Sequence, residues 1–166
     1  MELNEALIQV IDACAEAELS FGLAGGFAFA LYCEPRATYD IDLMMSGELS
    51  TIEKAVRTRF SSVYRNTQSM RYPLVEVSRL LLIQAEQEFI LDVLTPNTPE
   101  LAAEFESGLR KVPFAGREAP VLSPELLWLL KQSSTRAQDR LDADQLYSVL
   151  DTEAAASLVH RFGLGS

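Results

Sequence analysis

The sequence predicts an α+β domain: a mixed β-sheet flanked by helices, followed by a C-terminal helical segment. Three observations carry this expectation. Apolar spacing alternates between the helical and the strand period up to about Leu122. Two adjoining strand-like runs are joined by a short polar turn, the signature of an antiparallel hairpin. Beyond Ser123 the pattern is helical throughout, in two or three pieces.

Taken in order, Leu3, Ala6, Leu7, Val10, Ile11 and Cys14 recur at helical spacing and predict an amphipathic helix over residues 3–18. A short strand, Phe21–Ala24, stops at Gly25-Gly26, and the apolar run Phe27–Cys33 reads as a buried helix ended by Pro35. Tyr39–Met45 alternates as a strand, with Asp40 and Asp42 on one face and Ile41 and Leu43 on the other. Residues 49–60 form another amphipathic helix, followed by a short strand near Ser62–Tyr64. Leu74–Gln84 and Glu88–Leu94 are the hairpin strands, turning at Ala85–Gln87. Thr95–Pro99 turns into a short helix, Pro99–Ser107, and a further strand, Val112–Phe114 or Glu118–Leu122, lies around Gly116. Ser123-Pro124-Glu125 starts the helical tail, with serine as N-cap and proline at the first helical position. Residues 1–122 are therefore expected to form the core, and 123–166 a helical segment packed on it as one compact unit.

Composition narrows the function classes. A chain of 166 residues, 48% hydrophobic, can bury a substantial core, and no apolar run approaches the roughly 20 residues that span a bilayer. The N-terminus lacks the pattern of a signal peptide, and Cys14 and Cys33 read as buried thiols of a reducing cytoplasm. The net charge of −10 repels phosphate backbones and argues against non-specific nucleic-acid binding. Among the basic residues arginine dominates, and its planar fork suits phosphate.

The acids are the informative residues. Aspartate is a poor strand former, and two on one strand face bring like charges together, which calls for a compensating cation. Hard divalent cations take carboxylate oxygens. Asp92 stands alone in Phe89-Ile90-Leu91-Asp92-Val93-Leu94, and burying an unpaired carboxylate costs several kcal/mol unless it is bound. Three such acids meet the demands of a two-metal phosphoryl-transfer site. Replacing Asp92 with asparagine is then expected to relieve repulsion in the metal-free protein. The alternatives are an exposed edge for Asp40 and Asp42, and a helix cap or an arginine partner for Asp92. Gly25-Gly26 before a helix offers backbone N–H groups to a phosphate.

The stretch GLAGGFAFALYCEPRATYDIDLMM resembles the signature of the DNA polymerase beta-like nucleotidyltransferase superfamily, a glycine pair, a helix and a strand bearing Asp-x-Asp. It is most similar to the small bacterial branch of minimal and abortive-infection, toxin-type enzymes, through Arg36-Ala37-Thr38-Tyr39-Asp40-Ile41-Asp42. LSPELLWLLKQSSTRAQDRLDADQL resembles the helical segment downstream, with Lys131, Arg136, Asp139 and Asp142, and with Gln138 where that pattern carries lysine. The resemblance implies two Mg2+ ions (or Mn2+) on Asp40, Asp42 and Asp92, and nucleoside triphosphate (ATP-like) phosphates on Gly25 and Gly26. Lys131 and Arg136 become candidates for triphosphate or acceptor contacts, while Arg36 and Thr38 shape the loop or touch phosphate. For Lys131 and Arg136 a solvated helix face is the competing reading, and for Asp139 and Asp142 pairing with Arg136 along one helix is preferred. Trp128 has core spacing, and His160 receives no catalytic role.

The implied activity is transfer of a nucleoside monophosphate to a hydroxyl of a protein, RNA or small molecule, releasing pyrophosphate. The branch implies a toxin–antitoxin or defence context with a cognate partner protein. The alternative function is an inactive nucleotide- or partner-binding module on the same fold.

Overall fold

Apolar alternation and cap chemistry account for most elements of the computed structural model, which describes residues 1–163. The chain runs α1 (Leu3–Glu16), β1 (Phe21–Leu23), α2 (Gly25–Tyr32), β2 (Asp40–Met45), α3 (Leu49–Val56), β3 (Ser62–Arg65), β4 (Met70–Arg71) and β5 (Val75–Gln84). It continues through β6 (Gln87–Pro96), α4 (Pro99–Gly108), β7 (Arg110–Phe114), β8 (Arg117–Val121), α5 (Pro124–Gln132), α6 (Ala137–Tyr147) and α7 (Thr152–Phe162). A capping box between Glu2 and Glu5 opens α1, which buries Leu7, Val10, Ile11 and Cys14. At α4 and α5 a hydroxyl N-cap precedes proline: Thr98 accepts the Leu101 amide at 3.2 Å and Ser123 the Leu126 amide at 3.1 Å. Each such cap contributes about 1 kcal/mol.

Eight strands form one mixed sheet in the order β3-β5-β6-β2-β1-β8-β7, with β4 also paired to β5. The pairs β2·β6 and β1·β8 are parallel; the others are antiparallel. Ile41, Leu43, Leu80, Leu91 and Val93 are fully buried in a core that also takes Phe29, Phe105, Leu126 and Leu158. Helix α2 packs against β2, α5 and α6, and α5 packs against α6 and α7. The predicted fold class, including the helical tail, is the observed one.

Several local expectations change. The strand closes at Leu23, because Ala24 is the N-cap of α2 and both glycines belong to its first turn. The apolar run is not buried all round: Leu31 is exposed and Cys33 half-buried, since α2 has neighbours on part of its circumference only. Cys14 is buried as expected, and burial pushes its thiol up to about 12. Both candidate strands around Gly116 form and pair as a hairpin. The β5–β6 turn is one residue shorter than predicted, with Ala85 and Glu86 at φ 50° and 64° and Gln84 facing Gln87. Strand β4 spans only two exposed residues, too few to show a period.

Candidate active site

The strand register builds a charged row across three strands. Asp42 on β2 lies opposite Asp92 on β6, and Asp92 lies opposite Arg79 on β5. Asp40 stands two residues before Asp42 on the same strand face. Arg79 donates from Nε to Asp92 Oδ1 at 2.8 Å and from Nη2 to Asp92 Oδ2 at 2.9 Å, and its Nη2 lies 3.8 Å from Asp40 Oδ2. Asp92 is therefore buried with a fork partner, the arginine pairing held open as the alternative for it, rather than left unpaired for a metal. The carboxyl left without a counter-charge is Asp42, which has no side-chain hydrogen bond or ion pair among the described residues. Burial pushes it up to about 7, the Asp92 and Asp40 charges push the same way, and Lys131 and Arg136 only partly oppose them.

The glycine pair makes room for this row. Gly25 has φ +58°, and a Cβ there would stand 2.1 Å from Asp42 Oδ2. A Cβ on Gly26 would stand 2.7 Å from Thr38 Oγ1, which in turn donates to the Asp40 carbonyl at 3.3 Å. The glycines thus let the helix start lie directly on the aspartate strand, and the first-turn amides of α2, without intrahelical acceptors, border the same cleft. Gly25→Ala is expected to destabilise the fold by about 1–3 kcal/mol through the left-handed φ and the clash. A thermal melt compared with that of an exposed substitution such as Glu86→Ala measures it, and an unchanged midpoint would refute the packing argument.

The helical tail holds a second charged cluster. Lys131 is buried, with Nζ 2.7 Å from Asp142 Oδ2 and 3.4 Å from Asp139 Oδ1. Arg36 Nε donates to Asp142 at 3.0 and 3.2 Å, and Gln138 Nε2 at 3.0 Å. Both cations lie over the Phe29 ring, at 5.6 Å for Arg36 and 5.7 Å for Lys131. Burial alone would raise the Asp142 carboxyl, but the Arg36, Lys131 and Gln138 hydrogen bonds outweigh it and bring it down to about 2. Two expectations are corrected. Lys131 is not on a solvated face, because α6 covers it, and Asp142 pairs across elements rather than with Arg136. Only Asp139 keeps the intrahelical contact, 3.8 Å from Arg136, whose own side chain is largely exposed.

The acids, the glycine pair, Arg36, Thr38, Lys131 and Arg136 all border a single cleft of about 560 Å³. One wall is largely apolar, from Met70, Tyr72, Leu74, Val75, Val77 and Leu94, none of which the sequence marks as a site residue, while Ser133, Ser134 and Gln138 add polar groups on the α5–α6 side. Trp128 is buried in the core, as expected, and His160 does not line the cleft.

Nearly all of the chain superposes on solved structures, nucleotidyltransferases among them. ANT(2'')-Ia, solved in complex with adenylyl-2''-tobramycin, matches with a TM-score of 0.64 at 17% identity, over 96% of this chain and 95% of that one. The chain has the nucleotidyltransferase fold. A candidate nucleotidyltransferase from Thermotoga maritima matches with a TM-score of 0.57 at 18% identity, over 95% of this chain and 92% of that one. JHP933 from Helicobacter pylori gives 0.59 at 15% identity, over 95% of this chain and 71% of that one. No family model and no curated protein matches the sequence. On this nucleotidyltransferase fold, the cleft lies where β2 and β6 present their aspartates beneath the start of α2.

The donor set of the cleft fits hard divalent cations, since Asp40, Asp42 and Asp92 offer only oxygens and Asp42 lacks a counter-charge. Among the described residues no three acids already converge as ligands, with both oxygens of Asp92 bound to Arg79. Nor, among these residues, is any helix long and apolar enough to cross a membrane.

Proposed function

We propose that this chain is a metal-dependent nucleotidyltransferase. The observation that carries the reading is Asp42 and Asp92 side by side on parallel strands, with Asp40 adjoining, in a cleft bounded by the open amides of α2. In the proposed step an acceptor hydroxyl oxygen bonds to the α-phosphorus of a nucleoside triphosphate. The bond to the β-phosphate oxygen breaks, pyrophosphate leaves, and the hydroxyl proton is lost to solvent. Two Mg2+ ions, or Mn2+, held by Asp40, Asp42 and Asp92 would neutralise the triphosphate and lower the pKa of the acceptor hydroxyl.

The chain's own residues do the positioning. The Gly25 and Gly26 amides face the phosphates, and Arg136, exposed and only weakly paired, is the cation free to meet them. Arg36 and Lys131, already paired with Asp142 and, for Lys131, with Asp139, hold α6 and the loop before β2 in place and act on the nucleotide at one remove. Residues 1–122 would carry the catalytic groups, and the helical segment after Ser123 would close the cleft on them. The charge of −10 and the adenylyl-tobramycin bound to ANT(2'')-Ia favour a small molecule or protein over RNA as acceptor. A defence context with a partner protein enters through the resemblance of Arg36–Asp42 alone, and a cytoplasmic site of action through the reading of Cys14 and Cys33 as reduced thiols.

One observation favours a second reading, a nucleotide-binding module without turnover: Arg79 occupies the carboxylate that catalysis needs. Incubation with each α-labelled nucleoside triphosphate, Mg2+ and a cell lysate separates the two. Label transferred to an RNA, protein or small-molecule fraction, and lost in the Asp40→Ala/Asp42→Ala variant, is expected. Metal-dependent triphosphate binding without any labelled product would establish the binding module instead.

A further inference from the structure

The row Asp42–Asp92–Arg79 has a consequence for how the site takes up cations. The Arg79 guanidinium stands between two of the three carboxylates, bidentate on Asp92 at 2.8 and 2.9 Å and 3.8 Å from Asp40 Oδ2. Its placement is built in, because the β5–β6 hairpin register sets Arg79 directly across from Asp92. It is also free to leave: its side chain is 37% exposed and borders the cleft, whereas Asp92 is buried. We propose that Arg79 is the resident counter-cation of the acid site, competing with divalent ions for Asp92 and thereby setting the affinity with which they bind. This rests on the metal-dependent reading above.

Arginine and ion exclude each other from the same oxygens. A guanidinium and a hydrated divalent ion both seek the carboxylate lone pairs, and side-on pairing takes both oxygens of Asp92 at once. Three carboxylates without any cation would repel one another, so Arg79 stabilises the ion-free fold. An entering ion must displace it, and the released guanidinium stays within the cleft, where phosphate is its next natural partner. Arg79 would thus couple ion uptake to triphosphate binding, each favouring the arrangement in which Asp92 is free.

Mn2+ titration of the purified protein without nucleotide, read by electron paramagnetic resonance and calorimetry, tests this. Losing the competing charge-assisted pair with Asp92 is expected to let Arg79→Ala and Arg79→Gln bind Mn2+ about 10-fold more tightly than the wild type, a difference of about 1.4 kcal/mol and within the worth of such a pair. Both should melt at lower temperature in EDTA and recover on adding Mn2+. Adding a non-hydrolysable triphosphate should tighten Mn2+ binding to the wild type more than to Arg79→Ala. Equal or weaker Mn2+ affinity in both variants would overturn the inference and make Arg79 an orienting partner of Asp92. No Mn2+ binding by any of the proteins, with or without triphosphate, would overturn both the inference and the metal-dependent function beneath it.

Discussion

Asp42→Asn is expected to lower nucleotidyl transfer by roughly 10³-fold while making the metal-free protein more stable. The two effects share one cause. Asp42 is the carboxyl with no counter-charge, and burial with the Asp92 and Asp40 charges pushes it up to about 7. Between about pH 4, where an aspartate of the unfolded chain ionises, and pH 7, the folded protein holds a proton that the unfolded chain has released. Stability of the metal-free wild type should therefore fall as pH rises through that window and level off above it. Asparagine cannot ionise and escapes the penalty, which at about 1.4 kcal/mol per pKa unit is on the order of 2–4 kcal/mol at pH 8. Melts in EDTA at pH 5 and pH 8 should show the variant gaining about 5–10 °C over wild type at pH 8 and a clearly smaller gain at pH 5. A variant that loses stability at pH 8 would show that Asp42 has a partner in solution. The sequence alone assigned this relief of repulsion to Asp92, but its fork with Arg79 moves the effect to Asp42.

Asp142→Ala should destabilise the protein by about 3–5 kcal/mol, because it leaves the buried Lys131 ammonium with only the longer 3.4 Å contact to Asp139 and removes the main partner of Arg36. At the scale of this chain that lowers the melting temperature by about 10 °C or more. The same carboxylate predicts an acid limb. It is held down at about 2 in the fold, so its stabilisation is fully present above about pH 4 and is lost as pH falls toward 2. Asp142→Asn should flatten that limb, and added Mg2+ should restore neither variant. An Asp142→Ala protein melting within a degree of wild type would refute a role for the cluster in docking α6.

Much of the fold was legible because its causes are local. Ser123 and Thr98 cap the helices that follow them, and the Asp40-Ile41-Asp42-Leu43 alternation places its acids on one face, as period-two geometry requires. Arg79 was missed for a specific reason. A turn read as Ala85–Gln87 pairs Asp92 with Leu80, whereas the observed two-residue turn shifts the register by one and brings Arg79 opposite. The cue for the shorter turn was weak, since Ala85 and Glu86 adopt left-handed φ without the glycine or asparagine that marks such turns. The Lys131 cluster was hidden differently, because Arg36 and Asp142 are 106 positions apart and no periodicity links them.

By itself the sequence determined which strand carries the two aspartates, where glycine opens the helix beside it, and that a helical tail follows. Tertiary structure alone decided which acids touch. The parallel pairing of β2 with β6 sets Asp42 against Asp92, the hairpin hands Asp92 its arginine, and α6 covers Lys131 with Asp142. Strand period and caps are set by neighbouring residues, whereas the charge state of a carboxylate is set by whatever the fold brings within a few ångströms of it.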